Sequence, residues 1–584
     1  MNKILKLLDS FVGYRISLRE LYFSLSTWFV LLVGFLGITT KFQTTLLIIN
    51  ILIGLCVFLI FILLTNRVLL SGFMTLLLAV LSDYVKLIKW QFLMQEISAA
   101  DIFMVELLIN HGLLRLIYEY ATKEIYLIFL LLLINFALLW NRSDTLLDKM
   151  RLGAKNYYAL RLVSFGVAIL LGFKLVDISL DKKSYFYLSV ESTKTQTKYD
   201  TRRIYGPFAD ILFTIQDMGI EPNYGKIDET LILDNVHKST EVITTNPNEM
   251  PDIVVILNES VFDPGKLDYD FAESLQFKFF QAGKYTKYSG ILNVNTYEGS
   301  SWISEYEVNT GIPHKSFRGP SYMPFITLVP HTKNSIMVHL RSIGYRVEVV
   351  YPVDKNFSLA KDAYTKLGSH KISDIYEFGF KPESWGHIPD SMIGEMIIDA
   401  LDKNPEKPKY IFAATMLNHG PHSSFIPDNI GCSLVMNDKL CSKLNDYISR
   451  LTRTSEDQLD LIEKLMRRKK KTIIVNFGDH LPSFEGYSTQ LRFTRDVKDY
   501  YKTFYNVNAN FNINDKTQYP SLDIAFIPSL ILDMAKLNSN DFYQANSLMR
   551  KNCHGQLGNC HGKNQHVDQL LESYKSLTVK QLGF

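Results

Sequence analysis

Cysteine and net charge are both scarce in this sequence, and each shortage excludes something. Only five cysteines occur among 584 residues, and none forms a Cys-x-x-Cys pair, the usual spacing of a structural zinc or dithiol site. The formal net charge is +3, too small to argue for a nucleic-acid partner, and no basic recognition motif supplies one. No small-residue cleavage site precedes the first apolar run, so that run reads as a retained anchor rather than a removable signal. Cys56 lies within an apolar stretch and reads as a small buried hydrophobe. Cys432 and Cys441 are close in sequence, as are Cys553 and Cys560. Two local pairs fit two disulfides and an oxidising compartment. Free thiols, or a metal site from Cys553, His554, Cys560 and His561, are the alternatives.

Charge is also unevenly spread. Up to about residue 180 long apolar runs dominate, and beyond it the composition is that of a soluble domain. Crossing a bilayer takes roughly 20 apolar residues. Five stretches qualify: Leu21–Thr40, Thr44–Leu64, Val68–Leu87, Glu124–Trp140 and Tyr158–Val176. Basic residues crowd the N-terminus (Lys3, Lys6, Arg15, Arg19) and the segment from Arg142 to Arg161. Basic loops stay cytoplasmic, so five spans place both segments inside and everything after Val176 outside. The paired cysteines fall on that outer side. Lys89 to Lys123 alternates apolar and acidic residues at helical spacing, as interfacial helices or a packed loop would. The expected organisation is a transmembrane domain over 1–180, a connector over 181–250 and an extracytoplasmic domain over 251–584.

The connector is rich in charge, Tyr and Thr, with a short helix expected near Phe208–Met218. From Pro251 strand-like and helix-like stretches alternate, which predicts a mainly parallel sheet with helices on both faces. Expected strands are Ile253–Leu257, Arg346–Tyr351, Tyr410–Met416 and Thr472–Phe477, with Thr503–Asn510 as a polar edge strand. Helical patterns cover Asp390–Leu401, Lys439–Arg453, Glu456–Arg468 and Leu522–Ala535.

Three of these strands run out into groups that carry chemistry. They end in Asn258-Glu259-Ser260, in Asn418-His419-Gly420-Pro421-His422 and in Gly478-Asp479-His480. Parallel strands share one rim, and ligands of open α/β sheets bind outside the carboxyl ends of the strands. Any one of these acids or imidazoles reads as structural; together they read as a site. Carboxylates with an imidazole suit a divalent metal, Zn or Mn. A nucleophile facing that metal is expected in Gly299-Ser300-Ser301-Trp302-Ile303-Ser304-Glu305-Tyr306, where a small turn precedes a helix. Ser301 either caps that helix or offers its hydroxyl to the metal. The roles are compatible, because a helix N-terminus attracts phosphate.

In chain order, Asn258-Glu259-Ser260, the run Gly299 to Gly311, Asn418-His419-Gly420 and Phe477-Gly478-Asp479-His480-Leu481-Pro482 resemble the motifs of the sulfatase-like branch of the alkaline phosphatase superfamily. A five-span anchor ahead of them resembles its membrane phosphotransferases: lipoteichoic acid synthases, phosphoglycerol transferases and lipid A phosphoethanolamine transferases. The implied fold is an N-terminal five-helix transmembrane domain followed by a C-terminal α/β sulfatase-like domain with a mainly parallel sheet. The implied location is the bacterial inner membrane, with the catalytic domain periplasmic or extracellular. Glu259, Ser301, Asp479 and His480 become the metal ligands, Ser301 the nucleophile with Ser300 as alternative, and His419 a contact to the substrate phosphate. His422 and Lys361 are further candidates for substrate contacts, and Asp523 matches a structural helix start.

The resemblance has gaps. The Cys-Gly-Thr of the phosphoethanolamine enzymes is missing, and the Trp and Arg that grip glycerol phosphate have no clean counterpart near Phe357–Asp362. The head group therefore stays open. Without Cys-x-Pro-Ser-Arg a formylglycine sulfatase is disfavoured. The implied reaction moves phosphoethanolamine or phosphoglycerol from a membrane phospholipid to an extracytoplasmic glycan or glycolipid, such as lipopolysaccharide, through a phospho-Ser intermediate. Water as acceptor, or a catalytically inactive lipid-binding relative, are the alternatives.

Overall fold

The computed structural model describes residues 44–65 and 67–93, scattered positions between 133 and 174, and, with short interruptions, residues 220–584. The chain divides into two compact units, Met1–Trp90 with Gln95–Gln216, and Gln91–Met94 with Asp217–Phe584.

In the first unit, α1 (Thr44–Thr65) carries no charged side chain. Its last turn satisfies its own hydroxyl: Thr65 Oγ1 donates to the Phe61 carbonyl at 2.8 Å and lies 2.9 Å from Ser71 Oγ. The next helix, α2 (Val68–Leu93), runs through Asp83, Lys86 and Lys89 and ends beyond the expected Leu87. No helix among the described residues is long and apolar enough to cross a membrane; the side chains of α1 are described only from Asn50 onward. The expected span Leu21–Thr40, the interfacial stretch beyond Leu93 and the helix near Phe208–Met218 lie outside the described residues. So do most of Glu124–Trp140 and part of Tyr158–Val176.

The second unit is built on an eight-stranded sheet. Its strands are β1 (Asp252–Asn258), β2 (Thr286–Asn293), β3 (Arg346–Tyr351), β4 (Lys371–Asp374), β5 (Lys409–Ala414), β6 (Thr472–Gly478), β7 (Lys502–Ala509) and β8 (Ser521–Asp523). They lie in the order β8-β2-β7-β6-β1-β5-β3-β4. Only β7 runs against its neighbours. Every residue of the central strands β1, β5 and β6 is buried, which is why they read as continuous apolar runs without alternation. The longer helices described in this unit are α3 (Thr230–Ser239), α4 (Ser301–Thr310), α5 (Ile336–Ser342), α6 (Ala360–Lys366), α7 (Asp390–Asp402), α8 (Asp438–Met466), α9 (Ile527–Met534), α10 (Asp541–Asn552) and α11 (Gln565–Lys580). α7 and α8 pack on each other and on the central strands, while α4 packs against α5 and α9.

Several expectations are corrected here. β7 is an interior strand between β2 and β6, not an edge. Its polar side chains are satisfied from within: Asn506 donates to the Phe279 carbonyl at 3.0 Å, and Asn508 to Asn506 Oδ1 at 3.2 Å. The two helices expected over Lys439–Arg468 are one continuous α8, because the polar break at Thr454-Ser455 is buried and Thr454 Oγ1 accepts from Asn418 at 2.7 Å. The helix expected from Leu522 starts only at Ile527, after β8 and one tight turn. The unit also begins ahead of Pro251, since α3 packs on α10 and α11 and the Ile232 N–H donates to Ser573 Oγ at 3.1 Å. Cys432–Cys441 and Cys553–Cys560 are disulfides, and Cys56 is free and buried.

Candidate active site and metal centre

Strand register assembles the site. β1 and β6 are parallel neighbours with Asn258 opposite Gly478, so the next residues, Glu259 and Asp479, emerge side by side. On the other flank β5 pairs with β1, Leu257 opposite Ala414. Thr415 continues the pairing, its N–H donating to the Leu257 carbonyl at 2.9 Å and its hydroxyl accepting from the Glu259 N–H at 3.3 Å. The three rims expected to converge do converge.

Gly478 makes the close approach possible. A Cβ there would lie 2.0 Å from the Val261 carbonyl oxygen, far inside contact distance. Gly478→Ala is expected to lower stability by roughly 1–3 kcal/mol, as overpacking does. The urea unfolding midpoint reads this; an unchanged midpoint would mean the Val261 backbone yields freely.

Ser301 arrives at the start of α4, and here the expected cap is corrected. Ser300 occupies the cap position in a left-handed conformation, φ 63°, and makes no side-chain capping bond. Ser301 is the first helical residue, so its hydroxyl is released from capping. It donates to Glu259 Oε2 at 2.8 Å and lies 3.2 Å from His480 Nε2. Ser304, one turn on, donates to the Asp479 carbonyl at 2.8 Å and staples α4 to the β6 rim. Ser260, Glu298 and Ser300 all sit in left-handed conformations (φ 57°, 61° and 63°), at about 1–3 kcal/mol each.

The cluster is buried and rich in acceptors. Asp479 Oδ1 accepts from the backbone of Ser260 at 2.8 Å and of His480 at 2.9 Å. Asp479 Oδ2 makes no hydrogen bond, though it lies 3.2 Å from His480 Nε2. His480 Nδ1 sits 2.9 Å from the Leu481 carbonyl. A carbonyl only accepts, so Nδ1 holds the proton and Nε2 turns its lone pair inward. Burial holds the His480 imidazole below its ordinary pKa, which keeps it neutral. Burial, and then the charge of Glu259, drives the Asp479 carboxyl well above the usual range. Burial works to raise Glu259, but the polar groups around it, the rings of His480 and His419 with the hydrogen bonds of Asp479 and Ser301, outweigh it and hold that carboxyl low. No Lys or Arg among the described residues pairs with either acid.

These residues fit a divalent cation. Donor atoms of Glu259, Asp479 and His480 lie within 4.8 Å of one another, and the unbonded Asp479 Oδ2 is the orphan that a cation would satisfy. Two carboxylates, an imidazole and a hydroxyl suit Zn or Mn.

His419 lies on the rim beyond β5, half-buried, with Nδ1 2.6 Å from the Gly420 carbonyl. The loop that carries it is held from below by Arg450, which the sequence reading missed. Arg450 is fully buried on α8 and pairs with Asp446 at 2.8 Å. It donates to the carbonyls of Leu417 (3.3 Å), His419 (3.0 Å) and Pro421 (3.1 Å). A charge on the buried face of an amphipathic helix was the signal available. Arg450→Ala would remove a buried charge that pairs with Asp446 and holds three loop carbonyls, and a loss of about 3–5 kcal/mol is expected; a melting temperature equal to wild type would contradict that role.

The remaining candidates are placed as follows. The His422 ring packs between Tyr447 (5.7 Å) and Phe484 (5.1 Å) and is 1% exposed, its Nε2 3.1 Å from the Asn418 carbonyl. It shapes the loop from beneath rather than facing the rim. Lys361 is exposed on α6, with no described contact to the cluster. Asp523 accepts from Asn293 and from the Leu557 N–H, both at 2.8 Å, a structural tie.

Residues 251–521 match the Sulfatase family model. An uncharacterised protein of Haemophilus influenzae is 26% identical over 345 residues, 57% of this chain and 61% of that protein. The chain thus spans about three fifths of the length of this curated relative. Among solved structures, the Streptococcus pyogenes phosphoglycerol transferase in complex with sn-glycerol-1-phosphate aligns at 18% identity and TM-score 0.49, covering 60% of this chain and 89% of that one. The integral membrane lipooligosaccharide phosphoethanolamine transferase A of Neisseria meningitidis aligns at 12% identity and TM-score 0.46, covering 85% and 96%.

Proposed function

From the match of residues 251–521 to the Sulfatase family model, we propose that this chain is a metal-dependent phosphotransferase. It moves a phospho-alcohol head group, phosphoethanolamine or phosphoglycerol, from a membrane phospholipid to an extracytoplasmic glycan or glycolipid. The observation that carries this is Ser301, whose hydroxyl meets Glu259 at 2.8 Å and His480 at 3.2 Å. It does so at a helix N-terminus, where backbone N–H groups favour phosphate.

Glu259, Ser301, Asp479 and His480 would hold Zn or Mn, which when bound lowers the hydroxyl's pKa and draws charge from the phosphoryl oxygens. The chain's own residues do the rest. The Ser301 proton leaves along the hydrogen bond to Glu259 Oε2. Ser301 Oγ bonds to phosphorus while the bond from phosphorus to the diacylglycerol oxygen breaks. His419, its Nδ1–H held by the Gly420 carbonyl, enters the step as the imidazolium and gives that oxygen a proton from Nε2. A glycan hydroxyl, losing its proton to the His419 Nε2 left free, then takes the phosphoryl group from phospho-Ser, and the proton on Glu259 returns to Ser301 Oγ.

The setting is the bacterial inner membrane, with a five-span anchor and the catalytic domain on the periplasmic side. Two disulfides support an oxidising compartment there. The test uses the full-length protein in vesicles of head-group-labelled phospholipid, with and without a pool of cell-envelope glycans. Label should pass to glycan, and diacylglycerol release should depend on it. Equal release without glycan would make water the acceptor, and no release in either arm would contradict the proposal.

A further inference from the structure

The reaction above leaves Glu298 unused, three residues ahead of Ser301. Its side chain is 4% exposed, and neither carboxylate oxygen has a hydrogen-bond partner among the described residues. No Lys, Arg or His among the described residues forms an ion pair with it. A carboxylate shut away from water is destabilising unless it is neutralised or met by a cation. Burial pushes the Glu298 carboxyl up to about 8, while the Tyr297 hydroxyl, short of hydrogen-bond geometry, pulls the other way.

The backbone adds a second cost. A φ of 61° is one that glycine adopts freely and glutamate does not. Glycine would serve this turn better on both counts, so the acid is kept against its own stability. Backbone strain and an unpaired buried charge at one residue mark function rather than packing.

The surroundings point to what the acid meets. The Tyr297 ring lies 5.2 Å from that of Tyr500 and 5.9 Å from that of Tyr501. Burial raises the Tyr500 hydroxyl, and the charges of Tyr269 and then Glu298 push it the same way. Tyr501 is 42% exposed, so the tyrosine cluster reaches solvent. One of its rings already takes a cation: Lys315 Nζ stands 5.0 Å over the centre of Tyr501. A carboxylate next in sequence to a cluster of aromatic rings is the chemistry that recognises an ammonium group.

Building on Ser301 as the nucleophile, we propose that Glu298, with the rings of Tyr297 and Tyr500, receives the ammonium of the head group being transferred. The donor is then an amino-alcohol phospholipid of the ethanolamine class, not a glycerol one. A glycerol head group has hydroxyls but no charge with which to ionise Glu298. An ammonium displaces the carboxyl proton and forms an ion pair with Glu298, which has none among the described residues.

The test is calorimetric binding of O-phosphoethanolamine and of sn-glycerol phosphate to the full-length protein in Mn²⁺ buffer. It compares wild type, Glu298→Gln and Glu298→Gly. Wild type is expected to bind O-phosphoethanolamine at least tenfold more tightly, and Glu298→Gln to bring the two within about twofold. Glu298→Gly should lose the preference as well, yet melt at a higher temperature, since strain and buried acid both disappear. A wild type without preference, or a preference that survives Glu298→Gln, overturns the assignment. The vesicle assay separates this from the parent proposal: an intact ammonium preference without any transfer supports the subsite and defeats the transferase.

Discussion

Ser301→Ala is expected to cut head-group release by about 10⁴-fold or more, the scale at which enzymes lose a covalent nucleophile, with little change in melting temperature. Ser301 sits in the first turn of α4, where alanine is a good helix former. What the substitution removes is the hydroxyl's pair of contacts, to Glu259 at 2.8 Å and to His480 at 3.2 Å. Ser300→Ala makes the control. Ser300 is left-handed and buried, so its replacement disturbs the turn without removing the attacking oxygen, and a far smaller loss is expected. Diacylglycerol release from phospholipid vesicles reads both. Wild-type turnover in Ser301→Ala would sink the nucleophile assignment, and a reversed ranking would hand the role to Ser300.

Chelation is expected to destabilise the sheet-bearing unit, and to do so increasingly as pH rises. Burial and the neighbouring Glu259 charge hold the Asp479 carboxyl far above its ordinary value in the metal-free protein, whereas an unfolded Asp titrates near about 3.9. The folded, metal-free state therefore keeps a proton that the unfolded chain releases. That contribution is complete below the unfolded pKa and is lost as pH climbs through the raised folded value. Glu259, held low, works the other way, but only as pH falls into the acid range. Bound metal favours the ionised Asp479, so the gap between loaded and chelated protein widens toward alkaline pH. Free metal about a hundredfold above its dissociation constant adds about 2.7 kcal/mol. Asp479→Asn keeps the shape and removes the charge. It should be more stable than wild type after chelation at neutral pH, and gain less from metal. A melting temperature indifferent to metal at every pH would contradict the centre.

The legible part of this chain was its middle. β1, β5 and β6 are buried on both faces, so their sequences are mainly apolar without alternation, with Asn476 the one polar residue inside β6, and the groups that follow such runs emerge at one rim. That is why Glu259, His419, Asp479 and His480 could be gathered from the sequence. The edges were harder. β4 and β8 span only Lys371–Asp374 and Ser521–Asp523, too short to carry a period. β7 concealed its central place behind asparagines, whose hydrogen bonds to Phe279 and to each other no composition reveals. α8 looked broken because its polar midpoint is buried against Asn418, a long-range contact.

The site shows the same division. The residue types proposed as ligands could be picked out in the sequence, because metal chemistry restricts the choice to few of them. Supporting residues were not. Arg450 acts on backbone carbonyls contributed by a loop 29 to 33 residues away in sequence. Glu298 is distinguished only by its φ and by the absence of a partner, and neither is written in a sequence. The cap at Ser300 rather than Ser301 was missed for the same reason, since a left-handed backbone at serine has no local signature.

The most direct measurement is mass spectrometry of the full-length protein after incubation with phospholipid vesicles and Mn²⁺, first without glycan and then with it. The peptide carrying Ser301 should gain the mass of one phospho-alcohol head group and lose it when acceptor glycan is added. Diacylglycerol release with Ser301 never modified, or a head group carried on another residue, would contradict covalent transfer through this site.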